Sequence, residues 1–302
     1  MRKLKYILSV AFILSLIISG CSKKESVKNS SKKTVYTTFF PVYDLTKRIV
    51  GNKMNIEMII KGNQEPHDFE LNTKDMTKIT KADLIVYNGA HMEGFIDNLK
   101  DVSQKKNQFL DLSQGLTLLE SEHSSSHDSV NPHTWLSIKN TIIQLDTIYR
   151  KVSSIDPENK EIYKKNYEDA ISQFKALDQK FKKELSKVKS KDKYFIVSHA
   201  AFNYLAKDYG LKQIAVTGIS PEDEPSAKQL KTIADFVKKH RVKTIFFEGK
   251  ATPKVAQTLA KNTHTKTATL YTMESLNETE MKKGYLKLME YNLEQLIQSF
   301  NE

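Results

Sequence analysis

One stretch constrains the fold more than any other. Tyr163, Tyr167, Ala170, Phe174, Leu177, Phe181, Leu185 and Val188 recur at the three- and four-residue spacing of an α-helix and form one apolar stripe. Asp156 and Pro157 supply a start signal, and no Gly or Pro interrupts the pattern before about Lys189. Roughly 30 residues at 1.5 Å each make a rod of about 45–50 Å.

On either side of the rod the chain alternates between short β-rich runs and amphipathic segments. Before it, strands are predicted at Thr34–Phe39, Met54–Ile60, Asp83–Tyr87 and Gln108–Leu112. Helices are predicted at Val42–Val50, from an N-cap at Thr73 to near Thr80, and around His91–Leu99. A polar segment, Ser113–Val130, leads to a helix marked by Trp135, Ile138, Ile142, Leu145, Tyr149 and Val152. After the rod, strands are predicted at Lys193–Ser198, Lys212–Val216, Lys243–Glu248 and Thr267–Thr272, with helices between them and a last helix from Asn277 to Phe300. Strands alternating with helices imply βαβ units and parallel sheets. The expected architecture is therefore α/β: two lobes, each a small parallel sheet flanked by helices, joined by one long rigid helix, with a cleft between them. Residues 34–153 would form the first lobe, 154–190 the connector and 191–302 the second lobe.

The N-terminus reads as an address. Arg2, Lys3 and Lys5 precede an apolar run, Tyr6–Ile18, that is too short for a bilayer needing roughly 20 residues but suits a signal peptide over residues 1–20. Ile18-Ser19-Gly20-Cys21 resembles a bacterial lipobox, in which the cysteine takes a lipid and becomes the mature N-terminus. Residues 21–33 are then a lipidated end and flexible tether, rich in Ser and Lys. The protein is expected to be exported and held by acyl chains such as palmitate on the outer face of the cell membrane. Cys21 is the only cysteine, which excludes a disulfide framework and any Cys-based zinc finger. The net charge of +11 falls by the three cations of the leader to +8. Spread over the chain, it reads as a solvated surface facing anionic lipid or wall rather than a nucleic-acid site.

Three of the eight histidines stand at element junctions: His67 in Glu65-Pro66-His67-Asp68, His133 in Asn131-Pro132-His133-Thr134-Trp135, and His199 in Val197-Ser198-His199-Ala200. Ligands of open α/β sheets bind outside the carboxyl ends of strands, where His67 and His199 are expected. Imidazole suits zinc, copper, iron and nickel. With no cysteine in the fold, a fourth ligand would be a carboxylate or water. Glu248 and Glu274, each at or just after a predicted strand, are both placed for it, and spacing does not choose between them.

These residues are recognisable. The mature chain is similar to the zinc-specific branch of the metal-receptor lipoproteins that serve bacterial ABC importers. The marks are the lipobox at Cys21, Glu65-Pro66-His67-Asp68-Phe69-Glu70, Asn131-Pro132-His133-Thr134-Trp135-Leu136, Ser198-His199-Ala200-Ala201-Phe202 and the long helix. The resemblance implies one tight zinc held by His67, His133, His199 and Glu274, with Glu248 supporting the site or serving as the alternative ligand. It implies a permease and a cytoplasmic ATPase as partners, and a monomer. Manganese-type relatives carry an acid at the third position, where this chain has His199, and nitrogen-rich ligation favours zinc. The family's His-rich loop is reduced to Glu120–Asp128, where His123 and His127 are candidates for an accessory metal site.

A zinc hydrolase and a surface adhesin are the readings from other classes. Catalytic zinc keeps an open position, and the chain lacks His-Glu-x-x-His, Gly-x-Ser-x-Gly and a phosphate-binding Gly-rich loop. No catalytic residue is expected, and no sequence feature encodes adhesion. His91 is placed near the cleft mouth, Trp135 in the cleft wall, and Glu222-Asp223-Glu224 in a loop beside the cleft.

Overall fold

The computed structural model describes residues 32–121, 130–248 and 254–302. Cys21, His123 and His127 lie outside the described residues. Residues Lys33–Glu302 form one compact unit. It contains two four-stranded sheets, and every strand pairing is parallel.

In the first sheet β1 (Thr34–Thr37) lies between β2 (Asn55–Met58) and β3 (Leu84–Tyr87), with β4 (Phe109–Asp111) beyond β3. The second repeats that order: β5 (Tyr194–Val197) lies between β6 (Lys212–Ala215) and β7 (Thr244–Phe247), with β8 (Lys266–Thr269) outermost. The inner strands explain the sequence pattern. Leu84-Ile85-Val86-Tyr87 and Thr244-Ile245-Phe246-Phe247 are buried throughout, as expected when helices cover both faces of a parallel sheet. The chain adds strands first on one side of β1 and then on the other, and likewise around β5. Each sheet thus has a switch point where loops splay apart and leave room for a ligand.

The helices of the first half are α1 (Phe40–Val50), α2 (Thr73–Ile79), α3 (Ile96–Val102) and α4 (Ile138–Ile155). The connector is α5 (Lys160–Ser186), preceded by a 3-10 turn over Pro157–Asn159. The second half carries α6 (Asn203–Tyr209), α7 (Ala227–His240), α8 (Lys254–Thr263), α9 (Glu278–Met281) and α10 (Tyr285–Asn301). At 27 residues α5 is about 40 Å long. Its buried stripe is Tyr163, Ala170, Phe174, Leu177, Phe181 and Leu185. Tyr167 stacks on Tyr149 of α4 at 4.7 Å, Phe174 on Tyr285 of α10 at 5.2 Å, and Phe181 packs on Tyr209 of α6 at 5.0 Å. One apolar core runs from Val35 through the α5 stripe to Leu296 and draws residues from both sheets, and a second cluster around Ile196, Ile245 and Val237 packs on the second sheet.

Several strands are two or three residues shorter than expected, β8 ending at Thr269 rather than Thr272, and four further boundaries differ for a local reason. Asn72, not Thr73, caps α2, because its side chain accepts from the Asp75 N–H. The expected helix at His91 begins only at Ile96, because Gly89, Ala90 and His91 all have positive φ. Trp135 belongs to a 3-10 turn, Thr134–Leu136, and α4 starts after the Ser137 cap. The last helix is divided at Gly284, whose φ of 79° lies outside helical space.

Candidate metal centre

His67 sits in the long loop between β2 and α2, nine residues beyond the end of its strand. His133 precedes the 3-10 turn that leads into α4, and His199 follows β5 by two residues. Glu274 lies in the loop after β8, directly behind Met273, a non-glycine residue with φ 68°. A buried side chain in that conformation is strained, and such strain is retained where the surrounding structure demands it.

The structure brings these four residues together. One ligand atom from each lies within 4.8 Å of the others. The Nε2 atoms of His67 and His133 are 3.3 Å apart, and those of His133 and His199 are 3.1 Å apart. Glu274 Oε1 is 2.9 Å from His133 Nε2 and 3.2 Å from His67 Nε2, and Oε2 is 3.4 Å from His199 Nε2. A tetrahedron with bonds of about 2.0–2.1 Å has edges of about 3.3–3.4 Å, and these five contacts, at 2.9–3.4 Å, lie near that length. Glu274 Oε2 is buried without a hydrogen-bond partner, a costly arrangement for a carboxylate unless a cation completes it. His133 and His199 are fully buried and Glu274 nearly so, while His67 keeps some exposure.

The charge states divide the site. Burial pushes His133 down to about 4, so its ring is neutral at physiological pH. Burial also opposes charge on His199, but the Glu248 and Glu274 carboxylates outweigh it and hold this ring well above its ordinary range. His67 is raised in the same way: burial works against its charge, and Glu274 and Glu65 overcome it. Burial disfavours ionised Glu274, yet His133 and His199 hold its carboxyl well below the usual carboxylate range.

Glu248 stands outside the four donors. Its Oε1 lies 2.5 Å from His199 Nδ1, an ion-pair contact not aligned as a hydrogen bond, and accepts from Ser198 Oγ at 2.5 Å. It faces the far side of the ring from the cluster, where a carboxylate orients an imidazole and raises its basicity. Trp135 lies beside His133 at 5.3 Å between ring centres and donates its Nε1–H to the Thr272 carbonyl at 2.7 Å, two residues before Glu274. A cavity of about 320 Å³ adjoins the cluster, lined in part by Glu65, Glu222, Glu248 and Glu274. Glu222 of the acidic run therefore does reach the cleft, whereas Asp223 accepts from the Ser220 N–H within its own turn.

His91 is exposed, falls outside the cluster and lines a different cavity with Tyr87, Asp97 and Lys100. His240 stacks on Phe236 at 4.1 Å, away from the site. Sequence reading missed Glu93. Buried, it is pushed up to about 7 by desolvation and accepts from Thr38 Oγ1 and from the Asn88 and Gly89 N–H groups. Asn88 in turn donates to the Pro132 carbonyl and accepts from Thr134 Oγ1, on either side of His133. Gly89 is required there: a Cβ would come within 1.9 Å of Asp111 Oδ1. The Asn-Gly pair and the glutamate four residues on were the available signal.

The family of zinc-uptake complex component A, periplasmic (ZnuA), matches residues 35–299. The chain belongs to this family. The high-affinity zinc uptake system protein ZnuA of Bacillus subtilis is 37% identical over 309 residues, covering 97% of this chain and 96% of the relative. The zinc-binding lipoprotein AdcA of Streptococcus pneumoniae is 36% identical and matches the whole chain, which spans only 62% of that longer relative. Among solved structures, the Zn(II)-bound ZnuA-like domain of S. pneumoniae AdcA superposes with a TM-score of 0.77 at 36% identity, over 90% of this chain and 100% of the domain. The laminin-binding protein Lmb of Streptococcus agalactiae, described as an adhesin with metal transporting activity, gives 0.81 at 35% identity over 89% of this chain and 99% of its own. The two-sheet architecture joined by a long helix is thus that of the ZnuA family.

Proposed function

We propose that this chain is an exported receptor that captures Zn2+ and delivers it to the membrane permease of an ABC importer powered by a cytoplasmic ATPase. The observation that carries the reading is the buried set of three imidazole nitrogens and one carboxylate at separations of 2.9–3.4 Å. In this reading His67, His133, His199 and Glu274 replace the ion's water shell, and Glu248 supports His199. Three neutral nitrogens and one anion suit zinc better than manganese, which takes oxygen-rich sites.

Four protein donors close the coordination sphere and leave no position for an activated water, which supports a carrier over a zinc hydrolase. His67, His133 and their loops belong to the first working unit, residues 34–153; His199 and Glu274 belong to the last, residues 191–302; residues 154–190 connect them. The shared core favours small, local closure over wide hinge motion. A diacylglyceryl group on Cys21 would hold the protein, as a monomer, at the outer membrane face of the cell. No helix among the described residues is long and apolar enough to cross a membrane.

The test is growth under zinc chelation. Cells lacking this chain should fail in chelated medium and recover with the wild-type gene or with added zinc. The variants His133→Ala and His199→Ala should not restore growth. Full rescue by either variant, or rescue by manganese and not zinc, would count against the proposal.

A further inference from the structure

Asn131 is fully buried, and both ends of its side chain are engaged. Its Oδ1 accepts from the His133 backbone N–H at 3.0 Å and faces His133 Nδ1 at 2.8 Å. Its Nδ2 donates to the Ala200 carbonyl at 2.9 Å and to Asn203 Oδ1 at 3.1 Å. With a backbone donor at one end and a backbone carbonyl at the other, only one orientation of the amide satisfies both. An amide oxygen can only accept, so His133 Nδ1 carries the proton and Nε2 keeps its lone pair for the cluster. At the opposite end the amide grips the residue that directly follows His199.

Both anchors are themselves held. Asn203 Oδ1 also accepts from Gln213 Nε2 at 2.7 Å, and Gln213 Oε1 accepts from the Phe202 N–H at 2.6 Å. The Asn131 carbonyl accepts from Tyr204 Oη at 2.8 Å, and Tyr204 Oη accepts from the Leu119 N–H at 3.0 Å. One side chain therefore connects a ligand carried before the long helix to the loop of a ligand carried after it.

We infer that Asn131 is a positioning residue that sets His133 and His199 against each other, holding their Nε2 atoms about one tetrahedral edge apart. The inference rests on the reading of these two histidines as zinc ligands. Its value is pre-organisation: if the loops were free, zinc would have to draw them together at the expense of its own binding energy. An Asn two residues before a ligand histidine thus acts on two ligands.

The decisive substitution is Asn131→Asp. It keeps the acceptor for His133, and a carboxylate behind a metal-bound imidazole by itself strengthens the ligand. It also loses the donor and sets a carboxylate oxygen against the Ala200 carbonyl. Orientation of His133 alone and coupling of the two loops therefore predict opposite results. Zinc competition titrations, zinc release rates and visible cobalt(II) spectra are compared for wild type, Asn131→Asp, Asn131→Ala and His133→Ala.

The expected result is that Asp and Ala both weaken zinc binding by about 10–100-fold. Both should also speed release and lower the intense visible absorption of tetrahedral cobalt, a signature that general loss of stability would not move. Asp binding as tightly as wild type would overturn the inference, as would Ala within about threefold. Normal zinc affinity in His133→Ala would instead overturn the ligand set on which it rests. If Asn131→Ala does not fold, Asn203→Ala removes one anchor without touching His133. It should also speed release, and unchanged release would contradict the proposal.

Discussion

Replacing Glu274 and Glu248 in turn separates a carboxylate that holds the ion from one that acts through a histidine. Glu274 places both oxygens in the cluster, 2.9–3.4 Å from three imidazole nitrogens. Structural zinc sites are worth about 10–16 kcal/mol over four ligands, so one share is about 2.5–4 kcal/mol, or roughly 10²–10³ in affinity. The real loss in Glu274→Ala should reach at least that, since Glu274 is the only anion among the four donors. Three histidines and a water should still retain some zinc, with faster release. Glu248 touches His199 Nδ1 from behind at 2.5 Å, so Glu248→Ala should cost about 10–100-fold, or about 1.4–2.7 kcal/mol. The assay is a paired titration against one chromophoric zinc chelator, in one buffer at neutral pH. A greater loss in Glu248→Ala than in Glu274→Ala would reverse the assignment and make the residue at the end of β7 the ligand.

Three further outcomes are expected. In the metal-free site His199 is held well above its ordinary 6.5 and His67 is raised, so zinc must displace protons from them; His133, at about 4, is already neutral and contributes none. Binding near pH 7 should therefore release about one to two protons, and affinity should rise with pH until the raised histidines are neutral; calorimetry in two buffers of different protonation enthalpy measures this, and zero release would refute the charge assignment. Deleting residues Ser121–Asp128 should leave tight binding intact and remove at most one weak site; loss of tight binding would make His123 or His127 a primary ligand. Cys21→Ser should leave the protein unprocessed or released to the medium, since stable anchoring takes more than one acyl chain, and unchanged processing and membrane retention would exclude Cys21 as the anchor.

The order of elements was legible because the inner strands β3, β5 and β7 are short apolar runs and the longer helices carry an apolar stripe, patterns that depend only on which faces are covered. The three histidines were legible because each stands at a junction. What lay beyond reading were relations across long sequence separations. Asn131 meets Ala200 and Asn203, residues about 70 positions away, and Trp135 meets Thr272 at 137. Neither pairing leaves a local pattern. Boundary errors had local causes that competing cues hid. Thr73 and Asn72 are both good caps, and only the hydrogen bond to Asp75 distinguishes them. The turn from Gly89 to His91 looks helical in composition, but the buried Glu93 carboxylate takes the Asn88 and Gly89 N–H groups and holds the backbone out of the helix. The choice of Glu274 over Glu248 depended on family resemblance, because the sequence pattern places both at or just after strands of the same half; in three dimensions they fall on opposite sides of the His199 ring.

The most direct measurement is the metal content of the purified protein after equilibrium dialysis against equal concentrations of zinc and manganese. The account predicts one zinc per chain and no retained manganese, because three imidazoles and a single carboxylate close around one small tetrahedral ion. Manganese as the main bound metal, or two tightly held ions per chain, would contradict it.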